Sequence, residues 1–291
     1  MAGQAALASA RHDFRAALQW ARRGLRVDPR SSVLYGALTD ALTQLGRYDA
    51  AGRAAAHMEE LSPGTPAESR LSYAAELRGD DVDAMRFMRL ALSNAASAAD
   101  VAFTRYYLGH LQLNAGHANA ALQEFSAGLA VAPGDTTLLE GRAKAESALG
   151  QTSRALADFQ LVVNRVPQPG YVLEYGVLLQ ANGHAQAAAR QWQLFRTEER
   201  LFRANGVTLD VDQILFEADH GSPTVAVRMG LRALRTRPFL DTYDAYAWAL
   251  HRAGRDRQAL VQVNIALHTG IHNPLFLHHR SEIERSLGVR S

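Results

Sequence analysis

The sequence predicts an all-α, right-handed solenoid of about eight helix–turn–helix repeats that ends in a capping helix. Two residue types recur in phase along the 291-residue chain, and apolar residues between them follow helical spacing. The phased glycines are Gly46, Gly79, Gly116, Gly150, Gly183, Gly221, Gly254 and Gly288. The phased alanines are Ala17, Ala51, Ala84, Ala121, Ala155, Ala188, Ala226 and Ala259. Two series with one period indicate a repeat architecture.

Each period contains two amphipathic helices around a tight turn, most clearly in residues 103–133. Tyr107, Leu108 and Leu111 recur at helical spacing, which predicts that they form the core face of the first helix. Gly116 supplies the backbone freedom that ends this helix. Gly109 is expected at a close crossing of two helices, because only a small residue leaves room there.

The same segment carries Tyr-Leu-Gly, then Ala-x-x-Ala-Leu-x-x-Phe, then Leu-x-Val-x-Pro. This pattern recurs along nearly the whole chain and resembles the tetratricopeptide repeat family, whose unit of about 34 residues is a helix–turn–helix. The resemblance implies one superhelical domain over 1–291 that binds a protein or peptide in its concave groove without enzymatic activity. The predicted repeats are 1–31, 32–64, 65–101, 102–135, 136–168, 169–206, 207–239 and 240–273, followed by a capping helix at 274–287.

Some segments depart from the regular period. Two of the intervals between successive phased residues are longer than the others. The first predicts a longer loop near Ser93–Asp100, and the second predicts a second helix prolonged by about a turn or two near Phe195–Val207. Pro223 follows a turn glycine, where it suits a helix N-terminus. Met1–Ala10 is an incomplete first helix, and terminal repeats normally need a polar cap. We therefore expect that the chain is the C-terminal part of a longer protein, or that a partner or second copy covers this face.

The composition argues against several functional classes. The chain has no cysteine, which excludes disulfides, thiolate metal sites and cysteine nucleophiles. Lysine and arginine total 31 against 29 acidic residues, a net charge of +2, and the basic residues are scattered. Neither nucleic acid nor a membrane span is therefore indicated. No phosphate-binding loop, zinc helix or nucleophile elbow is visible, so we expect neither an enzyme nor a cofactor. With no visible signal peptide, localisation stays open between the cytoplasm and export after signal removal.

The groove is expected to be lined by the first helix of each repeat. In the 102–135 repeat, the stripe opposite the core face contains Phe103, Tyr106 and His110, followed by Asn114. These aromatic side chains either pack against the neighbouring repeat or serve as exposed anchors for a ligand. The same helical offset predicts further ligand-binding residues on other repeats: Tyr73, Glu76, Glu140, Lys144, Asp244 and Trp248.

Acidic residues outnumber basic ones on this stripe. The acids are Asp40, Glu76, Glu140, Asp219 and Asp244, and the bases are Lys144 and Arg252. The count predicts a groove with a small net negative charge. Such a groove would prefer a partner segment that is neutral or mildly basic and has one apolar or aromatic anchor. Since only Lys144 could contribute, the carboxylate clamp of some chaperone-binding family members is not expected.

Two other functions stay open. Four histidines crowd the C-terminal end and would make a metal-binding or catalytic accessory site if the fold brought three of them together: His268, His272, His278 and His279. Surface and capping roles are the simpler interpretation, because adjacent residues point to different sides of a helix. A helical repeat that binds nucleic acid would show salt-dependent retention on a polyanion column.

Overall fold

The computed structural model describes residues 1–206 and 211–289, and all regular structure among them is helical. Each helix packs mainly against its neighbours in the chain, which confirms the predicted all-α repeat fold. No helix in the described part combines the length and apolar character that a bilayer span requires. Residue 207, where the seventh predicted repeat begins, lies outside the described residues.

The described residues form 17 helices, which make eight successive pairs and a last single helix. Their bounds are α1 Ala2–Ala10, α2 Phe14–Val27, α3 Ser32–Gln44, α4 Tyr48–Leu61, α5 Thr65–Glu76, α6 Asp81–Ser93, α7 Ala98–Asn114, α8 Ala118–Val131, α9 Thr136–Ala148, α10 Thr152–Arg165, α11 Pro169–Ala181, α12 Ala185–Ala204, α13 Val211–His220, α14 Pro223–Ala233, α15 Leu240–Arg252, α16 Asp256–Leu267 and α17 Pro274–Ser286.

The phased glycines lie at the ends of helices. Seven of the eight phased glycines have φ between 68° and 79°, a left-handed conformation that favours glycine. Gly221 is the exception, and its turn is held by a side chain: the backbone N–H of Ser222 donates to Oε2 of Glu217 at 3.0 Å. Ser222 then caps α14 and Pro223 is its first residue, which confirms the expectation for that proline.

Small residues let the helices approach closely. All eight phased alanines are at most 2% exposed. A Cβ added to Gly109 would lie 2.5 Å from the ring of Phe125, and a Cβ on Gly141 would lie closer still to the same ring. The buried ring of Phe125 in α8 therefore fits against α7 and α9 only because a glycine of each helix faces it. The close crossing predicted at Gly109 is confirmed.

The structure confirms one of the two expectations for the long repeat intervals and corrects the other. Helix α12 has 20 residues where α10 has 14, which confirms the prolonged second helix. The longer loop expected near Ser93–Asp100 is wrong, because only residues 94–97 separate α6 from α7 and α7 itself has 17 residues. The physical reason is a cap: the backbone N–H of Asp100 donates to Ser97 at 3.1 Å, and Ser97 Oγ donates to the Asp100 carboxylate at 2.8 Å, so the helix starts early.

The chain divides into two compact units. One is Met85–Asn205, which contains α7 to α12, and the other joins Met1–Ala84 with Gly206–Ser291. In the second unit, Leu77 packs in one apolar core with Phe239, Leu240, Ile271 and Phe276. Chain segments that are far apart in sequence thus share a core within this unit.

Polar contacts join the same segments. The Arg237 guanidinium donates to Oε1 of Gln44 at 2.7 Å, and Arg15 donates to the carbonyl of Arg235 at 2.7 Å. The residues that follow α14 therefore contact the first two repeats, which are far away in the sequence.

Candidate functional site

Helix α7 carries an aromatic stripe in the unit Met85–Asn205. Phe103, Tyr106, Tyr107 and His110 stand at i, i+3, i+4 and i+7, so they share one helix face. Phe103 is 44% exposed, Tyr107 is 37% exposed, and their ring centroids lie 4.7 Å apart. The core position predicted for Tyr107 is therefore wrong. Four residues after Phe103, one helical turn returns the chain to the same open face.

Tyr106 connects this stripe to the core. Its half-buried ring lies 5.1 Å from the Tyr107 ring and 6.0 Å from the buried Phe125 ring. Burial raises the pKa of the Tyr106 hydroxyl well above its ordinary value, so the group stays protonated. Tyr106 is therefore packed, whereas Phe103 and Tyr107 are exposed to solvent.

Lys144 of α9 lies between two carboxylates next to this stripe. Its ammonium contacts the carboxylate of Glu140, one turn earlier, and lies 2.7 Å from Oε1 of Glu174 in α11. Glu140 is buried, whereas the Glu174 side chain is 37% exposed and the Lys144 side chain is 33% exposed. The three groups carry a net negative charge when both carboxylates are ionised.

Glu140 is the unusual acid of this group. Burial raises its pKa to about 7, since the charge of Lys144 only partly offsets burial and the Glu174 carboxylate adds to it. Among the described residues, no hydrogen-bond donor reaches Oε2 of Glu140 or Oε2 of Glu174. The two carboxyl groups are close enough to share a hydrogen bond once Glu140 is protonated. Near neutral pH, Glu140 can therefore gain or lose a proton in response to a nearby charge.

His110 and Lys144 each keep one protonation state near pH 7. Burial and the nearby Lys144 lower the pKa of His110 to about 4, so its imidazole is neutral. Burial opposes the charge of Lys144, but the carboxylates of Glu174 and Glu140 outweigh burial and raise its pKa, so it stays charged. The site can accept a cation and offers aromatic surface. We call it the acidic–aromatic surface, defined as Phe103, Tyr106, Tyr107, His110, Glu140, Lys144 and Glu174.

Sequence reasoning missed Glu174, although a signal for it exists. Tyr106, Glu140 and Glu174 stand 34 residues apart, one repeat period, and therefore occupy equivalent positions on α7, α9 and α11. Extending the stripe by one more period would have found it.

The other predicted site residues lie elsewhere. Asn114 ends α7, and Tyr73 and Glu76 lie on α5, in the other unit. Asp244 is 1% exposed and its Oδ2 lies 2.8 Å from Nδ1 of His279 in α17, while Trp248 stacks on the same imidazole with ring centroids 4.2 Å apart. The structure thus brings Phe103, Tyr106, His110, Glu140 and Lys144 together, and it places Asp244 and Trp248 against the last helix.

Several acids of the predicted stripe have basic partners. Asp40 forms a two-bonded ion pair with Arg70, with the shortest contact at 2.6 Å, and Asp219 pairs with Arg252 at 3.0 Å. Arg70 was not counted on the stripe, so the charge arithmetic overstated the negative lean there. On the acidic–aromatic surface, the negative charge comes from Glu140 and Glu174.

The C-terminal histidines have separate partners. His272 lies 2.6 Å from an oxygen of Asp81, His268 lies 2.6 Å from the carbonyl of Ile265, and His279 pairs with Asp244. Within residues 1–206 and 211–289, no three metal-ligating side chains come together in a group that could hold an ion.

The sequence matches no family model and no curated protein sequence. Solved structures do match. The human IFIT1 dimer with PPP-AAAA is 14% identical, with a TM-score of 0.57, and the match covers 89% of this chain and 69% of that one. Yeast Tom70 is 12% identical, with a TM-score of 0.55, and covers 94% of this chain, which spans 59% of Tom70. Both are tetratricopeptide repeat proteins. This chain therefore shares the helical-repeat fold of these tetratricopeptide repeat proteins.

Proposed function

We propose that the acidic–aromatic surface binds a segment of a partner protein in which a basic side chain lies next to an aromatic or apolar one. The observation that carries this proposal is one lysine between two carboxyl groups, beside two exposed aromatic rings on the same surface. The chain then acts as a non-enzymatic binding scaffold. The likeness to IFIT1 and Tom70 supports the fold on which this surface is built.

The carboxyl pair favours a cationic side chain. Lys144 balances one carboxylate, and the second is balanced either by a proton on Glu140 or by a positive charge from outside. A guanidinium brings five N–H donors, and an ammonium brings three, to a site where two carboxyl oxygens lack a donor. Glu174 is the accessible member of the pair and is expected to make the contact.

The aromatic stripe supplies the anchor. Phe103 and Tyr107 present adjacent rings to solvent, and exposed aromatic clusters are typical of binding hot spots. A cation within about 6 Å of such a ring gains a further attraction from the ring face. Tyr106 contacts Tyr107 and interacts with the carboxyl pair, so the aromatic and acidic features adjoin, which favours a short motif with one basic and one aromatic residue.

Selection from a random peptide display library tests the proposal directly. We expect the selected peptides to be enriched in arginine or lysine beside an aromatic residue, with micromolar affinity, about −8 kcal/mol. In calorimetry with a selected peptide, Phe103→Ala should weaken binding by about 1–2 kcal/mol and Glu174→Gln by a similar amount. Leu161→Ala, which removes an exposed apolar side chain of α10, is the matched control and should change nothing.

Proton release gives a second readout. A bound cation lowers the pKa of Glu140, so binding at pH 7 should release a fraction of a proton, which appears as a dependence of the heat on the buffer. Glu140→Gln should abolish this dependence. Selection of acidic peptides, or unchanged affinity in both Phe103→Ala and Glu174→Gln, would refute the proposal. Tyr106→Ala separates packing from contact, since a purely packing role predicts lower stability with unchanged affinity.

A further inference from the structure

A cavity lies within the unit that joins Met1–Ala84 with Gly206–Ser291, far in sequence from the acidic–aromatic surface. It has a volume of about 500 Å³ and is lined by the turn and first residues of α4, by Arg53 and Arg78, and by His268 and Thr269 after α16. Three separate segments of the chain therefore contribute to one cavity. Its volume lies within the range of about 300–1,000 Å³ that is typical of small-molecule sites.

The charge around this cavity is strongly positive. Arg47, Arg53 and Arg78 line it, and Asp49 is the only carboxylate among the lining residues. The three arginines are exposed residues, and none forms an ion pair with the residues that the structure describes. By contrast, Arg70 and Arg142 each hold a carboxylate through two hydrogen bonds. Three unpaired guanidinium groups around one cavity repel each other, so an anion would relieve an existing electrostatic cost.

Uncharged donors add to the arginines. Thr269 lines the cavity, and its buried hydroxyl has no hydrogen-bond partner among the described residues. The first turn of the 14-residue helix α4 also faces the cavity, and its N-cap residue Arg47 provides no side-chain cap for the free backbone N–H groups. Gly52 has no side chain, which leaves space for the Arg78 guanidinium close to α4, beside Arg53.

We infer that this cavity binds a phosphorylated small molecule through its multiply charged phosphate group. Arginine offers fixed, fork-shaped donors that match phosphate oxygens, and a phosphate group brings several such acceptors and about two negative charges in a small volume. Because the lining residues come from both ends of the chain, the ligand also joins these segments and stabilises the unit that contains them.

Calorimetric titration of the full chain with inorganic tripolyphosphate, and in parallel with ATP, tests this site at fixed ionic strength. We expect saturable one-to-one binding and a higher thermal midpoint with ligand. Arg78→Gln and Arg53→Gln should each raise the dissociation constant about tenfold or more. Arg257→Gln, an exposed arginine of α16 outside the cavity, is the matched control and should change it less than about twofold.

A variant that binds more tightly distinguishes an effect on the site from an effect on folding. Asp49→Asn removes the one carboxylate of the cavity and should tighten binding several-fold. Tighter binding of ATP than of tripolyphosphate would identify a nucleotide, and equal affinities a free phosphate chain. Absence of saturation with both ligands, equal losses in Arg257→Gln and Arg78→Gln, or equally tight binding of an oligonucleotide without a terminal phosphate would overturn the inference. None of these outcomes bears on the acidic–aromatic surface, which is tested separately.

Discussion

Replacement of Gly141 by alanine tests how tightly the core beneath the acidic–aromatic surface is packed. In a helix interior, glycine to alanine alone stabilises by about 0.5–1 kcal/mol. Here the new Cβ would overlap the ring of Phe125, which is fully buried and is also closely approached by Gly109. The ring would have to retreat by roughly 1 Å to regain ordinary contact, and close-packed interiors contain few voids that could receive it.

Overpacking of a dense core costs about 1–3 kcal/mol, and contacts at such short range belong to the upper part of this range. After subtraction of the gain in helix propensity, Gly141→Ala should lower the free energy of unfolding by about 1–2 kcal/mol. Since the Tyr106 ring lies 6.0 Å from Phe125, the displaced ring should also disturb the aromatic stripe.

Urea unfolding followed by circular dichroism measures this change. Gly3→Ala is the matched control, because Gly3 lies in α1 with nothing within 4 Å of the new Cβ, and it should be neutral or slightly stabilising. Phe125→Leu replaces the ring with a smaller side chain and so makes room for the new Cβ. The double variant with Gly141→Ala should therefore lose less unfolding free energy than the sum of the two single losses. Wild-type stability in Gly141→Ala, or strict additivity in the double variant, would show that Phe125 is not confined as described.

Two further predictions concern the chain ends and pH. Gly79 and Gly116 occupy equivalent turns with φ of 72° and 78°, but only at Gly79 would a Cβ overlap the carbonyl of Gly270, so in thermal unfolding Gly79→Ala should cost at least about 1 kcal/mol more than Gly116→Ala. The pKa of Glu140, about 7 when folded against 4.5 as the ordinary value, means that this group adds stability as the pH falls from 7 to 4.5. The pKa of His110, about 4 against 6.5, means that this group loses stability as the pH falls from 6.5 to 4. Glu140→Gln should therefore lose stability relative to the parent chain between pH 7 and pH 5, and thermal midpoints across this range would show no such difference if Glu140 titrates normally.

The repeat itself could be predicted because every copy contains the same tight turn and the same close helix crossing. A left-handed turn favours glycine, and a close helix crossing favours alanine, so both residues recur with the period of the structure. The phase of a single helix was harder to assign. Tyr107 looks like a core residue beside Leu108, and its spacing also places it on the face of Phe103. Only the burial pattern shows that this face is open to solvent.

Contacts between distant segments carry no periodic signal. Leu77, Phe239 and Ile271 are ordinary apolar residues in the sequence, and nothing in their spacing indicates that they share a core. The same holds for Arg70, whose ion pair with Asp40 crosses from one first helix to the next and changes the charge that the surface presents. Periodicity therefore predicts the unit and its neighbours, whereas pairings that depend on three-dimensional proximity require the structure.

The single lysine of the chain explains how the acidic–aromatic surface could discriminate between partners. Thirty of the 31 basic residues are arginines, yet the position between Glu140 and Glu174 holds Lys144, a compact point charge that can contact one carboxylate within α9 and another on α11. One positive charge cannot balance two carboxylates. The remaining negative charge is shared between a proton on Glu140 and any cation that a partner brings, so proton and partner compete for it. Partner affinity on this surface is therefore expected to fall as the pH drops below 7, and the decline should disappear in Glu140→Gln.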